Sequence, residues 1–289
     1  MTRALEEDRD DPFFPFWSSL ALEFLARAAV ANVHPSLLAA PDPTMQNVLY
    51  ALGKPGPKKG AKSITASTAF DLCRQLVPNF GPEEVALCES LANRRNEELH
   101  SGGVPFEEFA TGDWVARFYS TCNKLVIFLN RSLVDFLGDK ETQTAKKIMV
   151  AAEEAVVEKV KRSISAHRTT FGEKDEKTRD GLLAASKEMS SKMSQQGGHR
   201  VVCPACGAQS WVTGEPITSQ GGKYEDHFVV ERTAMLPTKM ECIACGLVLG
   251  SHAELDVAGV GGQYTQTSYF NPVDYYSEHM GPDWDYSNE

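Results

Sequence analysis

Apolar positions recur along the first half of the chain at helical spacing, and polar breaks divide them into predicted helices. One run, 18–32, opens at Ser18-Ser19 as an N-cap and places Leu20, Phe24, Ala28 and Ala31 on one face. The aromatic cluster before it, Phe13, Phe14, Phe16 and Trp17, is expected to fold back onto the bundle. A second helix, 63–77, offers Ala69, Phe70, Cys73 and Val77 for packing and stops at Pro78. A third opens near Pro82-Glu83-Glu84 and is stopped by Ser101, Gly102 and Gly103. At about 100° per residue its buried stripe is Val85, Cys88, Leu91, Ala92 and Leu99. A fourth, capped by Thr111-Gly112-Asp113, runs to about Phe136 and is apolar nearly all round, which suits a central helix or a partner interface.

Beyond Gly138-Asp139 the pattern changes. Residues 142–167 mix alanine and valine with pairs such as Glu158 and Arg162, which favour a solvated helix face. Residues 168–198 are polar and read as part helix, part linker. Short strand-like runs follow at 210–213 and 227–232, with Gly221-Gly222 between them. The organisation expected is a helical domain over 1–140, a helical segment and linker over 141–198, a small β module over 199–260, and an aromatic, acidic tail over 261–289.

The third helix carries the first candidate chemistry. Arg95 projects from the middle of its apolar stripe, and Asn96 and His100 stand four residues apart at the stripe's edge. Such groups are costly beside a buried face unless something pairs with them, which marks a site. Arg94 is placed on the opposite side, beside glutamates.

Arg95-Asn96-x-x-x-His100 at the end of a helix resembles the Arg-x4–6-His signature of the HEPN superfamily, and the flanking helices fall where that family's helices fall. The resemblance covers roughly the first half of the chain. It implies a helical bundle and, in many relatives, a metal-independent endoribonuclease that works as a dimer. Activity of that kind is transesterification of RNA by its own 2′-hydroxyl, leaving 2′,3′-cyclic phosphate ends. His100 would then be general acid or base, a role suited to an imidazole, whose ordinary pKa is ~6.5. Arg95 would hold the scissile phosphate, and Asn96 would orient His100 or a phosphate oxygen. Toxin and antiviral defence roles, with a protein partner or antitoxin, come with the same resemblance. Other relatives keep the fold as a non-catalytic module binding nucleic acid or protein. In this superfamily an acidic residue on an early helix sometimes approaches the site; Glu23 occupies such a position, although as a residue beside an apolar face it reads as a surface glutamate.

Lysines at 54, 58, 59 and 62 lie among glycines and prolines over 53–62 with no acid between them. Lys54, Lys58, Lys59 and Lys62 suit an arm that grips phosphates, and equally suit a solvated loop. The net charge of −10 argues against a protein that coats nucleic acid indiscriminately.

The second constellation is Cys203-Pro204-Ala205-Cys206-Gly207 with Cys242-Ile243-Ala244-Cys245-Gly246. Each CxxCG is a tight turn presenting two thiolates from one side, and two facing turns build a tetrahedral structural Zn²⁺ site. A redox CxxC would need only one pair. With all four positions filled by Cys203, Cys206, Cys242 and Cys245, no coordination position is left open for catalysis. The fold class expected is therefore mainly α, an HEPN-like bundle followed by a small β zinc ribbon. Of the seven cysteines, Cys73, Cys88 and Cys122 sit at apolar helical positions, as small buried hydrophobes do. Their usage suits a reducing cytoplasm. The charged start is unlike a secretory signal, and the longest apolar stretch, 114–137, is interrupted by charges and so is not expected to span a membrane. The tail aromatics, including Trp284 and Tyr286, are expected to dock onto the protein's own surface, with stacking on single-stranded bases as the other use.

Overall fold

In the computed structural model, which describes residues 1–279, helix accounts for 57% of the chain and the strands form a small antiparallel sheet toward the C-terminus. The mainly-α expectation with a small β region therefore holds. The chain divides into two compact units, Met1–Glu153 and the residues from Glu154 onward.

The first unit contains α1 (Thr2–Glu6), α2 (Phe13–Val33), α3 (Gln46–Ala51), α4 (Ala66–Leu76), α5 (Pro82–Ser101), α6 (Val115–Phe128), α7 (Leu133–Leu137) and the start of α8 (Asp139–Gly172). Its core is built by Phe14, Leu22, Phe70, Leu91, Trp114, Phe118 and Leu125, all at most 1% exposed. Phe14 and Phe109 both pack against Trp114, so part of the early aromatic cluster does fold back. Cys73, Cys88 and Cys122 are buried, and desolvation pushes all three thiols up in pKa.

Two expectations need correction. Helix α2 buries Ser18, Leu22, Leu25, Ala26, Ala29 and Val30, while Phe24 is 62% exposed and Ala28 is exposed. Ser18 and Ser19 are buried inside the helix, which begins at Phe13, rather than capping it. Both faces of α2 are apolar, so periodicity alone does not say which faces inward. The long helix expected to reach Phe136 stops at Phe128: Asn130 takes a left-handed conformation (φ 55°), and a reciprocal Ser132–Asp135 cap starts α7 afresh. Among the described residues α2, not the stretch 114–137, is long and apolar enough to cross a membrane by length and composition, and 56% of that window is buried in the protein.

The second unit contains the rest of α8, α9 (Glu176–Gln195), β1 (His199–Val202), β2 (Gln209–Glu225), β3 (Phe228–Glu241), β4 (Val248–Leu249), α10 (His252–Val257), β5 (Tyr264–Phe270) and α11 (Pro272–His279). The strands run in the order β1-β2-β3-β4, with β5 also pairing with β3, all antiparallel. Residues 168–198 hold far more helix than linker: Ser186 and Ser190 of α9 donate to the Gln209 and Ser210 carbonyls of β2 at 2.6 and 2.8 Å. Glycines 221 and 222 do not make the hairpin turn. They lie in β2 beside a register shift, and the two-residue turn is Asp226-His227, both at positive φ (45° and 71°), as a primed turn requires. From the tail, Tyr264 is buried and stacks on His199, and the Tyr275 hydroxyl accepts from Gly222 N–H of the sheet at 3.1 Å. Trp284 and Tyr286 lie outside the described residues.

Candidate functional site

Helix α5 forms as its sequence prescribes. Pro82 sits in the first turn, Glu84 accepts from Gly81 N–H at 2.7 Å, and Gly102 (φ 70°) terminates it in the left-handed conformation that glycine tolerates. Its buried stripe runs Val85, Cys88, Leu91, Ala92 and ends at Arg95. Leu99, expected on that stripe, is 60% exposed. The last turn of α5 therefore leaves the core, and Arg95 marks where it leaves.

Arg95 is the charged residue at that boundary, with 8% of its side chain exposed. Its Nη1 lies 2.7 Å from Glu23 Oε2 on α2, and its Nη2 donates to Asn96 Oδ1 at 3.1 Å. Nη1 makes no well-directed hydrogen bond, so the contact with Glu23 is an ion pair held by charge. The other Glu23 oxygen accepts from Arg27 Nε at 2.8 Å, and Arg27 Nη2 donates to the Ile64 carbonyl at 3.1 Å. Glu23 is thus no surface glutamate: it is shared by two guanidinium groups and its side chain is only 12% exposed. Sequence reading weighed Glu23 and passed over Arg27; their i,i+4 spacing was the signal for the pair.

His100 is exposed at the C-terminal end of α5, and among the described residues no hydrogen bond or ion pair engages it. Asn96 is exposed as well, one turn before it. Glu98, between them, has Oε2 buried without a partner; burial first, and then Glu107, hold its carboxyl above the usual pKa. Arg94 lies with its guanidinium 4.1 Å over the Phe109 ring and donates to Ser90 Oγ at 3.0 Å.

Lys54, Lys58, Lys59 and Lys62 are all exposed, and no hydrogen bond or ion pair among the described residues joins them to Arg95. Their loop is closed at its base. Asn47 donates to the Ala40 carbonyl and accepts from Lys62 N–H at 2.9 Å, next to an Ala39–Ser63 bridge. Its exit at Ile64 is the carbonyl that Arg27 holds.

In the second unit the two CxxCG turns are near copies. Gly207 N–H donates to the Cys203 carbonyl at 2.9 Å and Gly246 N–H to the Cys242 carbonyl at 2.7 Å, with both glycines at positive φ (73° and 79°). The four sulfurs lie within 4.8 Å of one another, with Cys203–Cys245 at 3.7 Å and Cys206–Cys242 at 3.6 Å. A tetrahedron of thiolates with metal–sulfur bonds of ~2.3 Å has edges of ~3.8 Å, so the spacing fits one metal ion. Hydrogen bonds from Cys203 and Cys245 hold the Cys242 thiol well below its usual pKa, while burial pushes Cys206 up. Two consecutive α8 residues brace the turns from behind. His167 Nδ1 donates to the Cys245 carbonyl at 2.8 Å, and Arg168 donates to the carbonyls of Pro204 (2.8 Å) and Ala205 (3.3 Å).

No family model, curated protein or solved structure matches the chain.

Three outcomes follow from this geometry. Glu23→Ala strands Arg95 inside the bundle, and breaking a buried pair from one side costs about 3 kcal/mol; the measurement is denaturant unfolding of the full chain, with Glu23→Gln falling between. Glu98→Gln raises the unfolding midpoint at neutral pH and leaves it unchanged at acid pH. The sign follows from the raised carboxyl: ionisation is disfavoured only in the folded state, so folding loses stability as pH rises past the unfolded pKa. Native mass spectrometry of the chain shows one bound metal ion, absent in Cys203→Ser/Cys242→Ser.

Proposed function

We propose that this protein is a metal-independent endoribonuclease of HEPN type, active as a homodimer, whose second unit is a zinc ribbon. The observation that carries the first part is the pairing of a restrained arginine with an unrestrained histidine. Arg95 is fixed by Glu23 and Asn96, and His100, one turn on, stays free to take and give a proton. In this reading RNA supplies the nucleophile, its own 2′-hydroxyl. His100 removes that proton, and the His100 of the second copy protonates the 5′-oxygen as it leaves. Arg95 carries a positive charge beside the phosphate, where negative charge grows in the transition state. The exposed lysines of 54–62 hold flanking phosphates.

One copy offers one Arg95 and one His100, so the chemistry calls for two copies. The outer face of α2 supports association: Phe24 is 62% exposed and Ala28 is exposed on a helix already apolar on its inner side, and Leu99 is 60% exposed on α5. A helix apolar all round is ordinarily covered on both sides. Dimer formation across this face would bring the ends of two α5 helices together.

A second reading has its own observation. Both Nη atoms of Arg95 already face partners within the chain, as in a fold-stabilising arginine. The unit would then be a non-catalytic HEPN adaptor that binds nucleic acid or a protein such as an antitoxin.

For the second unit, zinc suits an all-sulfur tetrahedral set better than a hard cation does, and four thiolates close its shell. Cys203, Cys206, Cys242 and Cys245 would hold it as a structural ion, outside the cleavage chemistry. Cytoplasmic location follows from the free thiols under the same proposal.

The deciding experiment incubates purified chain with mixed RNA without added divalent metal. The nuclease reading expects 2′,3′-cyclic phosphate ends, a loss of at least a hundredfold in His100→Ala, and a similar loss in Arg95→Lys. Phe24→Asp and Leu99→Asp are expected to give monomers by sedimentation and to abolish cleavage together. Intact RNA with a stable dimer selects the adaptor.

A further inference from the structure

The distal end of the β2–β3 hairpin carries a feature that neither the cysteine site nor the Arg95 site uses. Cross-strand partners in an antiparallel sheet project to the same face, and so do residues two apart along a strand. Val230 pairs with both Lys223 on β2 and Tyr269 on β5, and Phe228 pairs with Glu225. Lys223, Glu225, Phe228, Val230, Arg232 and Tyr269 therefore share one face, along with Thr265 and Thr267. That face is open. Phe228 is 49% exposed and Tyr269 67%, and Thr265, Thr267 and Lys223 are exposed as well. The opposite face is covered where α11 sets Tyr275 against Gly222.

The two open rings stand on adjacent strands with centroids 6.3 Å apart and planes at 85°. Arg232 is gripped by Glu225 through two 2.8 Å hydrogen bonds, while Lys223, which the same carboxylate attracts, makes no hydrogen bond or ion pair among the described residues. A protein-docking surface would be expected to present a contiguous apolar patch. Here the exposed apolar surface of the face is two rings in edge contact, bordered by hydroxyls and by two cations against one acid, in a chain of net charge −10. Exposed aromatics on a sheet face, bordered by cations, are the arrangement on which unpaired bases stack.

We propose that this face binds single-stranded nucleic acid, with bases stacked on Phe228 and Tyr269 and a phosphate on Lys223. The proposal does not rest on the nuclease reading. Because Glu225 neutralises Arg232, binding is carried by stacking rather than charge. The expected salt dependence is shallow, with log K falling against log salt at a slope of about −0.7 for each phosphate neutralised.

The test is fluorescence anisotropy of the full chain with a labelled oligodeoxythymidylate, which lacks the 2′-hydroxyl that transesterification requires. Lys54, Lys58, Lys59 and Lys62 are replaced by alanine in the background, so that the loop contributes nothing. Phe228→Ala and Tyr269→Ala are each expected to weaken binding by about five- to a hundredfold. Tyr269→Phe is expected to retain it, and because the probe cannot be cleaved, loss of binding is read apart from loss of cleavage. Equal metal content and circular dichroism verify that the variants are folded. The proposal is overturned if the background chain binds no oligonucleotide, or if Phe228→Ala/Tyr269→Ala binds as tightly as that background. It is equally overturned if Tyr269→Ala changes only the sedimentation of the chain, which would make a second copy the occupant.

Discussion

A guanidinium enters a helical core only when a carboxylate meets it there, and Glu23 meets two. Uncompensated, a buried charge costs more than the packing of several aliphatic side chains returns. The Glu23 carboxylate fixes α2 to α5 through Arg95, and through Arg27 it also holds the Ile64 carbonyl where the lysine loop ends. Three elements distant in sequence are thereby tied to one side chain. With two guanidinium groups on one carboxylate, the cluster keeps one positive charge in an acidic protein. The α5 stripe stops at Arg95 for the same reason, since the ion pair closes the core on that side and the final turn, with His100, stands free.

The second unit solves a different problem by related means. A small sheet buries too little apolar surface to stand alone, and an all-sulfur cluster without a cation would crowd polarisable, partly ionised groups together. Its long hairpin is therefore braced from outside. His167 and Arg168 each satisfy carbonyls of a different cysteine turn, and the buried serines 186 and 190 let α9 lie close against β2 while satisfying strand carbonyls. The helices that read from composition as a spacer are thus part of the module's own structure. Removing either brace would leave carbonyls unsatisfied beside the cysteine turns.

Features written in adjacent residues are legible in the sequence. Helix α5 begins and ends where Pro82 and Gly102 require, and each CxxCG is a complete turn written in adjacent residues. What failed was long-range. A helix apolar on two faces gives no signal for which face turns inward, so the outer stripe of α2 was mistaken for the core stripe. The break before α7 depends on Asn130 and a cap at Ser132, both polar residues inside an apolar run that hydrophobicity alone carries straight through. The turn falls on Asp226-His227, and Gly222 is needed earlier, where a Cβ would collide with Val229 Cγ1 and the Tyr275 ring. The Glu23–Arg95 pair joins two helices through residues more than sixty positions apart. Only the cost of an unpaired arginine hinted at it.

That misread stripe has a physical consequence. Phe24 and Leu99, both about three-fifths exposed, follow Glu23 and Arg95 along their helices, one residue and one turn on. Apolar surface left in water is unfavourable by roughly 25 cal/mol per Å², so each of these side chains favours a covering surface. An ion pair at the edge of that surface gains from being covered too, because excluding water strengthens its attraction. The same covering would dry the surroundings of Arg95 while leaving His100, at the very end of α5, on the rim. A buried cation and a rim imidazole have different solvent needs, and a helix end is the one place where residues five apart can satisfy both.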